Sequence, residues 1–368
     1  MPTLLLAVVL LPVVLLPVVL LPVALLPVDL WAAKKNQPTA TLAPPDLLLQ
    51  GGRKLTFERS FSTEKEALGK PGFWTRVVDV VIGAPEYREM ARPYSVAVDS
   101  RGRAIVTDPG AQGVHIFDFA NHKYKFIERK DKEKDAMLAP QCVALDAQDN
   151  IYVTDSLSGK IFVFDANGKY QHALGSLKGG EGYFKRPTGI AVDSAAQRIY
   201  VTDTLRDKIY VLDMQGSVMQ TIGKHGNGNG EFYYPTELHL DTNNKLLVVD
   251  AMNFRVEWFG RDGAVEGEMG QIGDSVGGMF RPKGVAVDSE DHLYVVDALW
   301  GVVQVFDREG HLLYYFGKRG TGLGEFQLPS GLFIDRYDRV FVVDSYNRRV
   351  QVFRYHGQPK QARGAWQQ

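Results

Sequence analysis

The most constraining feature of this sequence is a phrase that returns six times from residue 92 onward. RPTGIAVDSAAQRIYVTD and RPKGVAVDSEDHLYVVD are two of its copies, and the copies begin at Arg92, Ala139, Arg186, Tyr234, Arg281 and Leu328. Their prolines are 47, 47, 48, 47 and 47 residues apart. A fixed period of this size, filled with short β-branched runs between Gly, Asp and Asn, is typical of one four-stranded sheet per repeat. The sequence therefore predicts an all-β chain that folds as a six-bladed β-propeller.

Each repeat predicts four strands, which we call a to d from the centre of the ring outward. In blade 3 we expect them at residues 189–192, 198–202, 208–212 and 217–222. The last repeat lacks a strand d, because only a polar tail follows its strand c. LTFERSF at residues 55–61 resembles the d-strand phrase LLYYFG, so we expect this N-terminal strand to complete the last blade and remove an open edge. Residues 73–83, FWTRVVDVVIG, are then an inserted helix or loop, or alternatively the closing strand itself.

The N-terminus has a different composition. Residues 4–28 are almost entirely apolar, with proline at every fifth residue from Pro12 to Pro27. The run is long enough to span a bilayer, although no Lys or Arg precedes it. We interpret residues 1–33 as an export signal or membrane anchor, with a low-complexity tail or a misassigned start as the alternatives. The remaining expected boundaries are a linker at 34–53, the propeller at 54–357 and a polar tail at 358–368.

Charge and cysteine content exclude several classes of function. The formal net charge is -1, which argues against nucleic acid as the partner, because nucleic-acid binders usually carry a basic excess. The single cysteine, Cys142, rules out an intramolecular disulfide and any multi-cysteine metal site. Cys142 occupies a position that holds glycine in three other repeats, so we expect a small buried side chain.

The repeats resemble the NHL-repeat family, specifically its exported bacterial six-bladed propellers. The resemblance covers roughly residues 54–355 and depends on the phrases P-x-G-I-A-V-D, Y-V-x-D and N-x-R-V-Q-V-F, of which DSYNRRVQVF at 344–353 is the clearest copy. It implies a rigid ring, but no single chemistry, because members bind proteins, RNA or peptides and one branch performs zinc-assisted lyase chemistry. Exported relatives are often lipoproteins, whereas this chain has no cysteine near the end of its apolar segment.

Two recurrent features are expected to be structural. The glycine-rich stretches at 223–232 and 317–326 recur between strands d and a and precede no helical pattern, so we interpret them as connectors and not as phosphate cradles. An Asp ends strand b in every repeat, and several copies are followed five residues later by a cation, including Arg255 and Arg349. We expect these Asp side chains to bond the turn between strands b and c and the nearby cation.

The sharpest local anomaly is in the fourth copy, PTELHLD. Its first and third strand-a positions hold Glu237 and His239, where the other copies mostly hold glycine, serine or alanine. The two side chains share the face of the innermost strand on which blades crowd together, so they must bond each other, water or a ligand. A self-satisfied pair and a ligand-binding or catalytic site are both consistent with this pattern. Because no other repeat places a histidine at these positions, we expect no zinc site, no other metal and no cofactor.

The turns between strands b and c present the second candidate site. Strand direction predicts that these turns and the d-to-a connectors emerge on one face. The turns carry large apolar, aromatic and amide side chains that protein interfaces favour, although the Leu and Met members could tuck between blades instead. From this set we predict a binding surface formed by Arg206, Asn253, Phe254, Trp300, Tyr346 and Asn347.

Two hypotheses of function follow. The first is a non-enzymatic platform that engages a protein or peptide through the d-to-a and b-to-c face, outside the cytoplasm and with membrane anchoring by the N-terminal segment. The second is an extracytoplasmic hydrolase or lyase with a site at Glu237 and His239, at the mouth of the central channel. RNA binding is a third interpretation, disfavoured by the net charge.

Overall fold

The computed structural model describes residues 43–69, 86–129, 136–178 and 182–357. Residues 1–33, 73–83 and 358–368, for which the sequence predicts a signal or anchor, an insertion and a tail, lie outside these ranges. No helix within the described ranges is long and apolar enough to cross a membrane.

Six antiparallel sheets form the six blades of the predicted propeller. In the order a to d, blades 1 to 3 consist of Ser95–Val98, Ala104–Asp108, Gly113–Asp118 and Lys123–Glu128; Pro140–Leu145, Ile151–Asp155, Lys160–Phe164 and Tyr170–Leu174; and Pro187–Asp193, Arg198–Asp203, Lys208–Asp213 and Val218–Ile222. Blades 4 to 6 consist of Pro235–Leu240, Leu246–Asp250, Arg255–Phe259 and Val265–Met269; Pro282–Val287, Leu293–Asp297, Val302–Phe306 and Leu312–Phe316; and Leu332–Ile334, Arg339–Asp344, Arg349–His356 and Lys54–Phe61. The strands expected for blade 3 are confirmed, with small differences at their ends.

The ring is closed by the N-terminal strand, as the sequence predicts. Lys54–Phe61 pairs antiparallel with Arg349–His356, with Leu55 opposite Tyr355 and Phe61 opposite Val350. Each strand a contacts strand a of the next blade, and that of blade 6 contacts that of blade 1. Phe61 is buried and its ring lies 4.9 Å from that of Phe117 in blade 1, so the closing strand also seals the seam between the first and last blades.

Some short elements were not predicted. Leu47–Leu48, in the range expected as a linker, adds a fifth strand outside Lys54–Phe61. Glu64–Leu68 is an α-helix that begins with a capping box formed by Thr63 and Glu66. The described ranges also contain 3-10 turns at Gln50–Gly52, Thr204–Arg206 and Ser345–Asn347.

The core is divided among the spaces between blades. Strands b and c are almost fully buried, whereas strands d alternate between exposed and buried residues. Each hydrophobic cluster combines residues of two adjacent blades, such as Val296 and Phe316 of blade 5 with Val342 and Phe353 of blade 6. This interleaving fixes the position of every blade relative to its neighbours, and therefore the position of the loops that they carry.

Candidate functional site

The Asp at the end of each strand b joins two loops on the same side of the ring. Asp155 accepts hydrogen bonds from the backbone N–H groups of Leu138 and Ala139 in the d-to-a connector, and from those of Leu157 and Ser158 in the b-to-c turn. In all six blades this Asp accepts a backbone N–H from the preceding connector: Asp108, Asp155, Asp203, Asp250, Asp297 and Asp344. The connectors and b-to-c turns therefore form one surface, which we call the loop face.

The predicted cation partners of this Asp are confirmed in two blades. Arg255 Nε lies 3.1 Å from an Asp250 carboxylate oxygen, and Arg349 Nε lies 2.7 Å from one of Asp344. Each arginine also donates from Nη2 to two carbonyls of the glycine-rich connector, Arg255 to Gly228 and Glu231 at 2.8 and 2.7 Å. The glycine-rich stretches are thus fixed connectors, as expected.

Two of the predicted binding residues are turned toward their own loops. Asn253 donates to the Gly226 carbonyl and to the Asp250 carboxylate, and Asn347 donates to the Gly320 carbonyl and to the Asp344 carboxylate. Both amides therefore hold a connector to a turn. Phe254 is half-buried, has φ 58°, and packs its ring 6.5 Å from that of Phe280.

The other predicted binding residues are exposed on the loop face. Trp300 and Tyr346 are 39% and 51% exposed. The exposed side chain of Arg206 pairs with Asp203 at 3.0 Å and lies over the Tyr183 ring. The alternative that the Leu and Met members of the turns tuck between blades is wrong for Leu157, Leu205, Met252 and Leu299, which are all exposed.

Exposed apolar side chains concentrate on this face. Nine of them lie on b-to-c turns or two residues before the proline of a repeat, and we call this set the apolar rim: Leu138, Leu157, Leu205, Tyr233, Met252, Phe280, Leu299, Trp300 and Tyr346. In the described part of the chain, the a-to-b and c-to-d turns of the opposite face carry one exposed large apolar side chain, Tyr337. The two faces of the ring therefore differ sharply in chemistry.

A cavity of about 270 Å³ occupies the centre of the ring and is lined by residues of strands a, including Glu237 and His239. Glu237 is 8% exposed and accepts a hydrogen bond from Cys142 Sγ, 3.2 Å away in blade 2. Blade 3, between them, contributes Gly189, where a Cβ would come within 2.4 Å of the Thr236 carbonyl oxygen. The missing side chain at Gly189 therefore lets strand a of blade 4, which carries Glu237, pack directly against blade 3.

Burial dominates the protonation of both anomalous residues. It raises the pKa of Glu237 to about 7, although the Cys142 hydrogen bond and the charge of Lys283 oppose this shift. Burial lowers the pKa of His239 to about 4 despite the nearby carboxylate of Asp241. No hydrogen bond between described residues joins Glu237 to His239, so the self-satisfied pair considered from the sequence is not formed. The unexpected partner is Cys142, which is buried as predicted.

Further polar residues lie beside Glu237 and Cys142, and the sequence alone did not single them out. Burial lowers the pKa of Lys283 to about 8, helped by the charges of Arg281 and Arg186. Burial raises the pKa of the Tyr94 hydroxyl, which interacts with Cys142 and Glu237. Arg186 donates to the Tyr234 hydroxyl at 2.7 Å. Each of these residues lies next to the proline of its repeat. Aligning the six repeats at the positions on either side of the proline would have identified them.

The surroundings of Glu237 therefore combine cations and hydroxyls with one buried carboxyl group. Such a group of residues can bind an anion, and a carboxyl group that titrates near pH 7 can also donate or accept a proton. Within the described ranges, the residues grouped closely enough to hold a metal ion are Asp307, Glu309 and His311, on the c-to-d turn of blade 5 and outside the cavity. His311 and Asp307 already hydrogen-bond each other at 3.0 Å.

Comparison with known proteins supports the fold. A family model described as 6-bladed beta-propeller, DUF5128, matches residues 141–197, 191–264 and 285–363. A gluconolactonase from Xanthomonas campestris has a TM-score of 0.56 and 16% identity, covering 86% of this chain and 99% of that one. A virginiamycin B lyase from Staphylococcus aureus has a TM-score of 0.52 and 16% identity, covering 73% and 85%. No curated protein sequence matches the chain significantly.

Proposed function

Because the chain belongs to the 6-bladed beta-propeller family, we propose that it is a rigid platform that binds a protein or peptide partner through its loop face. The observation that carries this proposal is the apolar rim. A concentration of exposed apolar side chains on one face is typical of an interaction site, and tryptophan, tyrosine and methionine are residue types that interfaces favour at their centres. The opposite face provides the comparison, since Tyr337 is its single exposed large apolar side chain among the described residues.

Rigidity of the loops supports the same proposal. The six Asp side chains tie every b-to-c turn region to a connector, and Asn253 and Asn347 add a second tie in blades 4 and 6. Rim residues are thus held in place before a partner arrives, which lowers the entropy lost on binding. Asn253 and Asn347 contribute to the platform by positioning the loops, while Arg206, Trp300 and Tyr346 offer contact surface.

A second candidate function is a hydrolase or lyase with its site at Glu237 and His239. The observation that favours it is the titration of Glu237 near pH 7 beside a cavity of about 270 Å³, which suits a general acid or base. Turnover of a chromogenic ester or lactone that is lost in Glu237→Gln and His239→Ala would establish it. The fold allows both functions, since structurally similar propellers include a lyase and a gluconolactonase.

We also propose that the repeats are of the NHL type and that the chain works outside the cytoplasm. The phrase DSYNRRVQVF supports the first point, because its Asn347 and Arg349 are two side chains that bond Asp344. The apolar run at residues 4–28 supports the second, as a cleaved signal or as an anchor. Fractionation of the native host, with the chain tagged at its C-terminus, tests the location.

The platform is tested with exposed aromatic residues on the two faces. Trp300→Ala and Tyr346→Ala should each weaken partner capture by the full chain about tenfold, with an unchanged melting temperature, because both side chains are exposed. Tyr337→Ala is the matched control, since Tyr337 is 56% exposed on the opposite face. Loss of capture by the control, with full capture by both loop-face variants, would overturn the proposal.

A further inference from the structure

Four cations flank the prolines that precede or begin the inner strands of the ring, and three of them, Arg186, Arg281 and Lys283, interact with one another beside Glu237. Arg92, Arg186 and Arg281 immediately precede the proline of strand a in blades 1, 3 and 5, and Lys283 follows the proline in blade 5. The arginines are exposed and Lys283 is half-buried. We call these four residues the cationic centre.

The side chains of the cationic centre lack an ion-pair partner among the described residues, although the backbone N–H groups of its three arginines donate to the carboxylates of Asp108, Asp203 and Asp297. None of the four side chains makes an ion pair with a carboxylate in the described part of the chain: the guanidinium of Arg186 contacts the hydroxyl and ring of Tyr234, and that of Arg92 lies over the Tyr346 ring at 5.5 Å. Arg281 and Arg186 also disfavour the charged form of Lys283, in addition to burial. Among the charges that act on Lys283 is the carboxyl group of Glu237, whose pKa burial raises to about 7, so that it is only partly ionised at neutral pH.

This excess of positive charge is confined to the cationic centre, because the whole chain has a formal charge of -1. A carboxylate placed beside these residues would relieve the repulsion among the cations and accept charge-assisted hydrogen bonds from arginine forks. Building on the proposed platform function, we infer that its partner presents an acidic peptide segment, with an Asp or Glu carboxylate over the cationic centre and apolar side chains on the rim.

The geometry favours a peptide over single-stranded nucleic acid. Nucleic-acid sites track a series of phosphates with a stripe of cations, whereas Arg186 and Arg281, from two different blades, both act on the single Lys283. The loop face also carries exposed apolar side chains, at Met252, Phe280, Leu299 and Trp300. An acidic residue flanked by apolar residues matches this arrangement of a charged centre and an apolar rim.

The test is a selection from a random peptide display library on the full chain, because such a library presents acidic and neutral peptides in open competition. We expect enrichment of Asp or Glu flanked by apolar residues, and binding that weakens as salt is raised. In Arg281→Gln and Lys283→Met the selected peptides should bind about tenfold more weakly, because a charge-assisted bond is lost. Arg336→Gln is the matched control, an exposed arginine on the opposite face that should leave binding unchanged.

The other outcomes contradict the inference in distinguishable ways. Selected peptides without acidic enrichment that still lose affinity in Trp300→Ala would leave the platform standing and remove the acidic preference. If the selection yields no binding peptide, both the platform function and the acidic preference are contradicted. A random single-stranded RNA pool forms the second arm, and tighter, more salt-dependent binding of RNA than of any peptide would assign the cationic centre to nucleic acid instead.

Discussion

At the scale of the residue, the site depends on a carboxyl group placed where its neighbours allow almost no side chain. Glu237 replaces a glycine-type residue of the repeat, and burial is the largest influence on its titration. Its single hydrogen-bond partner among the described residues is the Cys142 thiol, a weak donor that compensates little for the lost water. Burying this carboxyl group destabilises the fold. Residues of this kind are found mainly at functional sites, while the equivalent positions of the other repeats hold side chains suited to packing.

The raised pKa of Glu237 predicts a specific pH dependence of stability. Between about pH 4.5, the ordinary glutamate value, and about pH 7, the folded state holds a proton that the unfolded state has released, so stability falls as the pH rises. Above pH 7 this contribution is constant. Glu237→Gln removes it, so the variant should gain about 3 kcal/mol over the native chain between pH 4.5 and pH 8.

Chemical denaturation at a series of pH values measures this difference. Glu266→Gln, which removes a carboxylate from an outer strand, serves as the control and should follow the native pH dependence. If the free energy of unfolding depends on pH in the same way for the native chain and for Glu237→Gln, then Glu237 is ionised and fully hydrogen-bonded at neutral pH, and the raised pKa is contradicted.

At the scale of the element, the loop face is held by the Asp that ends each strand b. Asp155 accepts hydrogen bonds from four backbone N–H groups that belong to two different loops. One carboxylate thus supplies the acceptors that a helix or sheet would otherwise provide. The repeat makes this tie predictable from sequence, because the same Asp returns at the same place in every copy. The connectors can therefore be long and rich in glycine without losing their positions.

Removal of this Asp side chain should lower the free energy of unfolding strongly. Asp155→Ala leaves four N–H groups without their acceptor, and should lower the free energy of unfolding by about 3–5 kcal/mol, because Asp155 itself is fully buried. Asp165→Ala is the control: Asp165 also accepts two backbone N–H groups, but in an exposed turn where water can replace it, at a cost of about 1 kcal/mol. Equal losses in the two variants, measured by denaturant titration, would refute the role assigned to Asp155.

At the scale of the whole molecule, closure of the ring brings together residues that the chain keeps far apart. The repeat period and the orphan strand at 54–61 were enough to predict the blades and their closure, because each depends on a local pattern. The cluster of Tyr94, Arg186 and Lys283 was not predicted, since it exists only once blades 1, 3 and 5 surround one axis. The sequence predicts contact roles for Asn253 and Asn347 because they lie in turns, whereas each follows its Asp by three residues and caps the turn by bonding that Asp.

The central claim is that the loop face of the ring, and not its opposite face or its outer strands, meets the partner. Hydroxyl-radical footprinting of the full chain, with and without its captured partner, tests this most directly, because the apolar rim carries one methionine and four aromatic side chains that react with the radical. We expect the partner to protect Met252, Trp300 and Tyr346 from oxidation, while Tyr337 on the opposite face and Tyr315 on an outer strand stay as reactive as in the free chain. Protection of Tyr337 or Tyr315, with the three loop-face residues unchanged, would contradict the central claim.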